Sequence, residues 1–277
     1  CIEPGGIVAG SRLRWLASAM ALAVALAVVT PTAFSPPSSA AAVAGSDFNP
    51  ELIISDAEFY NGSAMTAAQI QVFLDGKIGS CQTTQCLNVI QITYPGALAS
   101  YASNGGLLCN ALQAGTMLFS EFLYRVQVAC GISAKVVLAT LQKEQSLVTS
   151  TAPNDWQLKA AMGMACPDTA ACDTAFVGLA TQVYSGTRQL KTYKVAVFAK
   201  QPGYQYIQYS PNAACGGTYL TVRNYATAAL YSYTPYQPNA AALANLYVIG
   251  DGCSAYGNRN FWRFYNDWFG SSGSYMT

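Results

Sequence analysis

The spacing of apolar residues predicts a chain made mainly of helices. Apolar side chains recur every three or four positions over residues 112–129, 136–148 and 175–199, which is the period of a helix with one buried face. Shorter helical patterns cover residues 66–74, 224–232, 240–247 and 260–269. We expect these helices to build the hydrophobic core.

Strand-like alternation is confined to residues 201–222, where tyrosines and aliphatic side chains alternate with polar ones around Cys215-Gly216-Gly217. This pattern predicts a small β-hairpin or loop packed on the helices. Residues 45–62 look like an extended arm with turns. No internal repeat and no clean linker follow Ala44, so the sequence predicts one mainly α domain over residues 45–277.

The N-terminal region has the layout of a secretory signal peptide. Two arginines precede an uncharged run, residues 15–29, and a stretch rich in Pro, Ser and Ala then ends in Ala42-Val43-Ala44. We expect residues 1–44 to be upstream sequence and signal peptide, cleaved after Ala44, and the mature chain to be secreted or attached to the cell wall. The alternative is a retained membrane anchor, because the apolar run is only a few residues short of a span.

Cysteine usage agrees with export. Beyond Cys1, eight cysteines remain, and an even number in an exported chain indicates disulfides, although many connectivities are possible. Pairing each with the next along the chain is the simplest arrangement: Cys81 with Cys86, Cys109 with Cys130, Cys166 with Cys172, and Cys215 with Cys253. A zinc site is the alternative, but the chain has no Cys-x-x-Cys and no histidine.

The absence of histidine removes most hydrolase chemistries. Ser-His-Asp and Cys-His hydrolases are excluded, as are histidine-ligated zinc and iron sites. The chain has no glycine-rich phosphate loop, and its 14 basic and 13 acidic residues leave no basic field for nucleic acid. We therefore expect no cofactor, no metal, no nucleotide and no nucleic-acid partner, and a monomer whose acid–base chemistry depends on carboxylates and tyrosines.

Glu144 is the carboxylate whose position is unusual. At 100° per residue it lies at the centre of the apolar face of the predicted helix 136–148, beside Leu141. An unpaired carboxyl group there would lose hydration and favour its protonated form, which a general acid needs. The alternative is a structural carboxylate that pairs with a buried arginine such as Arg188 or Arg125.

Four blocks of sequence resemble a known family. They are ISAKVVLATLQKEQSLVT, DWQLKAAMGMACPD, ATAALYSYTPYQPNAAAL and CSAYGNRNFWRFYNDWFG. The family is an exported actinobacterial one, often labelled hemagglutinin, whose members look like lysozyme-superfamily cell-wall enzymes, and the resemblance covers nearly all of residues 47–270. It implies a lysozyme-like fold with Glu144 in the place of the catalytic acid. Two departures are that Gln145 rather than Ser follows Glu144, and that no Asn-Ala-Gly triplet occurs later.

The resemblance also implies a mechanism. Glu144 would protonate the glycosidic oxygen between amino sugars, and a lytic transglycosylase needs only that carboxyl group. An inverting hydrolase needs a second carboxylate roughly 6.5–9.5 Å away to activate water. Asp155, Asp168 and Asp173 are the candidates, although Asp173 also has the sequence context of a helix N-cap.

Aromatic side chains are expected to line the sugar subsites, because pyranose faces stack on rings while their hydroxyls bond to amides. The candidates for these contacts are Tyr184, Tyr233, Tyr236, Gln237 and Asn239. The alternative is that the rings belong to the core, since the chain has 18 tyrosines.

Three functions follow from these patterns. The first is a secreted glycosidase or lytic transglycosylase that acts on peptidoglycan-type polysaccharide in the cell wall. The second is a carbohydrate-binding or adhesion module without catalysis, and the third is a structural envelope protein with Glu144 ion-paired in its core. A groove onto which Glu144 opens favours the first, whereas full enclosure and a salt bridge favour the third.

Overall fold

Helices provide most of the regular structure in residues 43–167 and 170–273, which a computed structural model describes. The helices in this part are α1 (Asp56–Phe59), α2 (Ala67–Ile78), α3 (Phe119–Cys130), α4 (Ala134–Gln145), α5 (Asp155–Lys159), α6 (Leu179–Val195), α7 (Tyr225–Tyr233), α8 (Ala240–Ala244) and α9 (Gly257–Phe269). The strands are β1 (Gln91–Tyr94), β2 (Ser100–Tyr101), β3 (Leu107–Cys109), β4 (Gly115–Leu118), β5 (Gly203–Gln208) and β6 (Gly217–Val222). The helices and the small β component expected from the sequence are both present.

Polar N-cap residues determine where several helices begin. The Thr66 hydroxyl accepts a hydrogen bond from the Gln69 N–H, and the Gln69 side chain accepts one from the Thr66 N–H, which forms a capping box at the start of α2. Asn154 and Gln157 repeat this arrangement at α5. Such caps stabilise a helix by about 1 kcal/mol each, so even the short α5 has a defined start.

The core lies between the long helices. Side chains of α3 and α4 such as Phe122, Val137 and Leu141 are buried, and α4 packs against α9, whose Trp262 and Tyr265 are also buried. Helix α6 packs on α3 and α7. These are the segments for which apolar periodicity predicted a buried face.

The strands form three small antiparallel sheets. Strand β1 pairs with β4, β2 with β3, and β5 with β6. The β5–β6 hairpin confirms the alternation seen in residues 201–222, with Gly203 opposite Val222 and Gln208 opposite Gly217.

Two helix boundaries differ from the sequence expectation. Residues 115–118, predicted as helix, form β4, because pairing with β1 outweighs the local pattern, and the helix begins only at Phe119. The helix predicted from residue 175 begins at Leu179. Gly178, with φ +104, occupies a backbone conformation that other residues rarely adopt, and it separates α6 from a 3-10 turn at Thr174–Phe176.

The predicted arm, residues 45–62, is packed rather than free. Ile53 and Ile54 are fully buried, and the Arg223 N–H donates to the carbonyl oxygen of Glu51. Residues 1–42, most of the predicted leader, lie outside the described residues. Within the described part, no single helix is long and apolar enough to cross a membrane; only α3 and α4 taken together pass such a test, and they are bent by 119°.

Four disulfides join cysteines that are neighbours along the chain. They are Cys81–Cys86, Cys109–Cys130, Cys166–Cys172 and Cys215–Cys253. The predicted pairing is confirmed. Such a set of disulfides is typical of secreted or extracellular proteins.

Candidate active site

Glu144 lies in the last turn of α4, where the helix stops and its side chain reaches the surface. Ser146 adopts the left-handed conformation, with φ 56, and its N–H donates to the carbonyl oxygen of Gln142. The helix therefore ends three residues before the predicted Val148. The Glu144 side chain is 25% exposed, so it is neither enclosed in the core nor fully in solvent.

The ion-pair partner of Glu144 is the preceding residue, Lys143. The Lys143 ammonium lies 2.8 Å from Glu144 Oε1, donates to Thr234 Oγ1 at 3.0 Å, and sits 4.5 Å from the centroid of the Tyr233 ring. The lysine side chain is only 4% exposed. The apolar surroundings of Glu144 suggested an unpaired carboxyl group. The structure instead shows Glu144 in an ion pair with Lys143.

Neither arginine considered as a partner forms this pair. Arg125 instead bonds to Glu121 at 2.6 Å within α3. Adjacent helix residues point about 100° apart, so periodicity gives no sign that Lys143 and Glu144 meet. The contact arises because a long lysine side chain folds back at the end of the helix, toward α7.

Two cavities meet at Glu144. They have volumes of about 350 Å³ and 420 Å³, and both are lined by Glu144, Gly163 and Cys166. The first also has Gln189, Tyr193, Tyr233 and Tyr236 in its wall. The second has Gln145, Trp156, Pro167 and Cys172 in its wall. Together they form one groove that passes the Glu144 carboxylate, hereafter the groove.

A glycine lets the backbone cross close to the carboxylate. Gly163 has φ +65, and a Cβ at this position would lie 3.4 Å from Glu144 Oε2. The carbonyl oxygen of the preceding residue, Met162, accepts a hydrogen bond from the Tyr233 hydroxyl. The loop around Gly163 thus closes one side of the carboxylate.

Tyr233 remains a neutral phenol in this setting. Burial, and secondarily the neighbouring Glu144 carboxylate, raise the pKa of Tyr233 well above its ordinary value of 10.0. Its hydroxyl therefore keeps the proton with which it holds the Met162 carbonyl. The ring meanwhile covers the Lys143 ammonium.

Buried Gln182 on α6 fixes the same loop. Its Oε1 accepts from the N–H groups of Met162 and Met164 at 3.1 and 3.0 Å. Its Nε2 donates to the carbonyls of Met164 and Phe176 at 2.8 and 2.7 Å. Four hydrogen bonds from one side chain hold the wall of the groove on both sides of Gly163.

The predicted sugar-contacting residues divide into two groups. Tyr233 and Tyr236 line the groove close to Glu144. Tyr184 is not among the groove-lining residues; it is buried and its ring contacts that of Tyr94, because α6 is enclosed on this side. The expectation that Tyr184 lines a cleft is therefore corrected.

Gln237 and Asn239 use their amides for structure. Buried Gln237 donates from Nε2 to the Ile207 carbonyl and to Thr218 Oγ1. Asn239 caps α8, where its Oδ1 accepts from the Ala242 N–H, and its Nδ2 donates to Asp251. Neither residue lines the groove, so their expected role in sugar binding is also corrected.

The candidate second carboxylates do not join Glu144 in the described part of the chain. Asp155 begins α5, accepts from Gln85 Nε2 at 3.2 Å and is absent from the groove wall. Asp173 accepts from the Ala175 N–H as an N-cap, as its sequence context suggested. Asp168 lies outside the described residues. Among the described groove-lining residues, Glu144 is the one carboxylate.

Sequence reasoning missed several groove residues. Trp156 is 57% exposed in the groove wall, and such exposure of a large aromatic ring often marks a binding surface. Tyr193 and Gln189 reach the groove from α6, on which only Tyr184 was considered. A tryptophan directly after the Asn-Asp start of a helix was the available signal for Trp156, since the first turn of α5 points outward.

Comparison with known proteins adds no relative. No family model matches the chain, no curated protein matches it, and no solved structure matches it. The described residues also contain no cluster of three or more histidine, cysteine or acidic side chains suited to a metal ion.

Proposed function

We propose that this chain cleaves glycosidic bonds in peptidoglycan-type amino-sugar chains, with Glu144 as the proton-transferring residue of a lysozyme-like enzyme. The observation that carries the proposal is the position of the Glu144 carboxylate at the junction of the two cavities, partly exposed and with aromatic rings on both sides. A carboxylate with a purely structural role would not need an open groove in two directions.

The wall of the groove suits a polysaccharide strand. Trp156 lies on one side of Glu144, and Tyr233 and Tyr236 lie on the other, so sugar rings on both sides of the scissile bond have aromatic surfaces to pack on. The Gln145 amide also lines the groove and offers hydrogen-bonding groups for sugar hydroxyls. Aromatic surfaces on both sides of Glu144 support a glycosidic oxygen within a chain, rather than a chain end, as the atom beside the carboxylate.

The groups around Glu144 define its part in the reaction. Oε1 is held by the Lys143 ammonium, which leaves Oε2, on the Gly163 side, as the oxygen that meets the substrate. Glu144 in its protonated form gives a proton to the leaving oxygen, and the resulting carboxylate then takes one from the attacking hydroxyl, which restores the acid. Attack by the sugar's own hydroxyl, the route of lytic transglycosylases, needs only this one carboxyl group.

A second candidate is a polysaccharide-binding module without turnover. The Lys143–Glu144 ion pair favours it, because a carboxylate held by an ammonium satisfies a structural role without any proton transfer. The groove and its rings would then bind the same glycan.

The deciding experiment is product analysis by mass spectrometry after incubation of residues 45–277 with purified peptidoglycan. We expect soluble muropeptides from the parent and at least about a hundredfold less from Glu144→Gln. Glu121→Gln is the matched control, because it removes an ion-paired carboxylate from α3 that is not in the groove wall. Anhydro ends identify a transglycosylase and reducing ends a hydrolase.

Two results would count against the proposal. Equal release by Glu144→Gln and the parent would remove Glu144 from the chemistry. No release by the parent, together with its retention on the wall material, would leave the binding module as the function.

A further inference from the structure

Three tyrosines form an exposed surface on the β5–β6 hairpin. Tyr204, Tyr206 and Tyr219 are 73%, 41% and 61% exposed. The rings of Tyr204 and Tyr219 are parallel to within 10° with centroids 5.1 Å apart, and those of Tyr206 and Tyr219 are 5.2 Å apart. We name this surface the tyrosine face.

Strand register explains why the three rings share one side. Tyr206 lies directly opposite Tyr219, and Tyr204 is two residues from Tyr206, so all three side chains project from the same side of the ribbon. The other side carries Ile207, Leu220 and Val222, which are buried. The hairpin thus uses its aliphatic side for the core and leaves the tyrosines outward.

The hairpin that presents the rings is held in place at several points. The Cys215–Cys253 disulfide ties its turn to the loop before α9. Gln237 bonds to Ile207 and Thr218 on its two strands. A ligand that packs on the rings therefore orders little of the protein, which keeps the entropic cost of binding low.

The tyrosine face continues into the groove. Gln208 of β5 forms a parallel bridge with Tyr236, whose ring lines the groove, and the Gln237 N–H donates to the Gln208 carbonyl at 2.9 Å. Bridged residues point to the same side, and Gln208 is two residues from Tyr206, so Tyr236 lies on the side of the tyrosine face. The offset is about 7 Å along the strand and about 5 Å between strands.

The size of the face indicates what it can hold. Two strands of six residues present roughly 200 Å² on one side, at about 3.4 Å per residue and 4.8 Å between strands. A stable protein interface buries about 800 Å² on each partner. The face consists of aromatic rings, without an acidic or basic side chain, and an extended polymer of uncharged rings matches this narrow strip better than a folded partner does.

We propose that the tyrosine face binds the polysaccharide strand beyond the groove, so that a long glycan contacts Tyr236 and then the rings of Tyr206, Tyr219 and Tyr204. This inference rests on the proposed function for the identity of the glycan. It adds a binding surface that distinguishes long, insoluble chains from short fragments, because short fragments fill the groove alone.

The test measures retention and cleavage separately. In a Glu144→Gln background, which prevents turnover, the double substitution Tyr204→Ala and Tyr219→Ala is compared with Tyr101→Ala, a control on β2 whose ring is equally exposed. Cosedimentation with purified insoluble peptidoglycan is the readout. We expect about tenfold weaker binding for the double substitution and no change for the control.

Cleavage of soluble muropeptide fragments is measured for the same double substitution with Glu144 intact, and we expect the parent rate. Equal wall binding by the double substitution and the control would overturn the proposal, as would the absence of binding by Glu144→Gln itself. Wall binding that depends on the tyrosines without any cleavage by the parent would sustain the tyrosine face and reject the enzymatic function.

A second copy of this chain is the alternative occupant of the tyrosine face. Size-exclusion chromatography of the parent and the double substitution distinguishes it, because a dimer that dissociates on loss of the two rings would overturn the proposal. Thermal unfolding by circular dichroism is expected to show that the double substitution is folded and less stable by only about 1 kcal/mol, since it removes one stacked pair of rings.

Discussion

At the residue scale, the contacts of Lys143 fix the position of the Glu144 carboxylate. The ammonium is nearly buried and bonds to a carboxylate, a hydroxyl and a ring at once. Losing it would leave the carboxylate and the Thr234 hydroxyl without their shared partner. The pair therefore couples the candidate catalytic residue to α7.

Lys143→Met tests this coupling. Because Glu144 is partly exposed, water replaces some of the lost attraction, and we expect the free energy of unfolding to fall by about 1–2 kcal/mol. A double-mutant cycle with Glu144→Gln, measured by urea unfolding, is expected to give a coupling of about 1 kcal/mol, since each single change leaves one charge unpaired. Strictly additive losses would show that the two side chains do not stabilise one another.

Single residues were predictable from sequence only where local pattern decides their position. Glu144 could be found because helical periodicity placed a carboxylate on an apolar face. Gln237 and Asn239 were misassigned because the atoms that satisfy them, at Thr218 and Asp251, are 19 and 12 residues away along the chain. A side-chain amide gives no local sign of whether its partner is a sugar or the protein.

At the scale of elements, α6 supports the groove through Gln182. Its amide satisfies backbone groups on both sides of Gly163, and none of those groups has a partner within a helix or strand. The loop geometry at Glu144 thus depends on a helix that contributes little to the chemistry itself.

Gln182→Leu is expected to lower the free energy of unfolding by about 2–3 kcal/mol, because buried N–H and C=O groups lose their partners. Cleavage by the folded fraction should fall with it, as the Gly163 loop moves relative to Glu144. Gln127→Leu is the matched control: it is equally buried and bonds to Met65 and Ala134, at the far end of α4. Unfolding in urea and muropeptide release are the two measurements, and equal activity losses in both variants would contradict the local role.

Element types were predictable where the apolar period was long and unbroken, as in α4 and α6, and where alternation was clear, as in β5 and β6. Strands β1 to β4 were missed because each has four residues or fewer and depends on pairing with distant chain. The groove could not be predicted from the sequence either, because it depends on residues from α4, α5, α6 and α7 that are distant along the chain.

At the scale of the whole molecule, buried tyrosines determine the response to alkali. Burial raises the pKa of Tyr231 and Tyr265 far above 10.0, and raises that of Tyr94 to about 12. In the unfolded chain these phenols ionise near pH 10. Below about pH 10 these phenols are protonated in both the folded and the unfolded protein. Above it they ionise in the unfolded chain alone, which lowers the free energy of the unfolded state.

Stability should therefore fall as the pH rises above about 10, by up to about 1.4 kcal/mol per pH unit for each fully buried tyrosine. Urea unfolding at about pH 9 and about pH 11 measures the change. Tyr231→Phe is expected to make the decline less steep, whereas Tyr204→Phe, on an exposed ring, leaves it unchanged. A decline of the same steepness in Tyr231→Phe and the parent would assign the alkaline loss to other groups.

The pattern of disulfides has a consequence for how the chain acquires its structure. Among the described cysteines, partners are separated by 5, 21, 6 and 38 residues, and no pair encloses or crosses another. During synthesis or export, the first cysteine of each pair therefore meets its own partner before the cysteines of the next pair emerge. Oxidation in order of emergence leads directly to the native set, without the reshuffling of mispaired thiols that is slow in other proteins. Alkylation of free thiols during synthesis and export should then trap native pairs, and accumulation of a Cys86–Cys109 linkage would show that assembly follows another order.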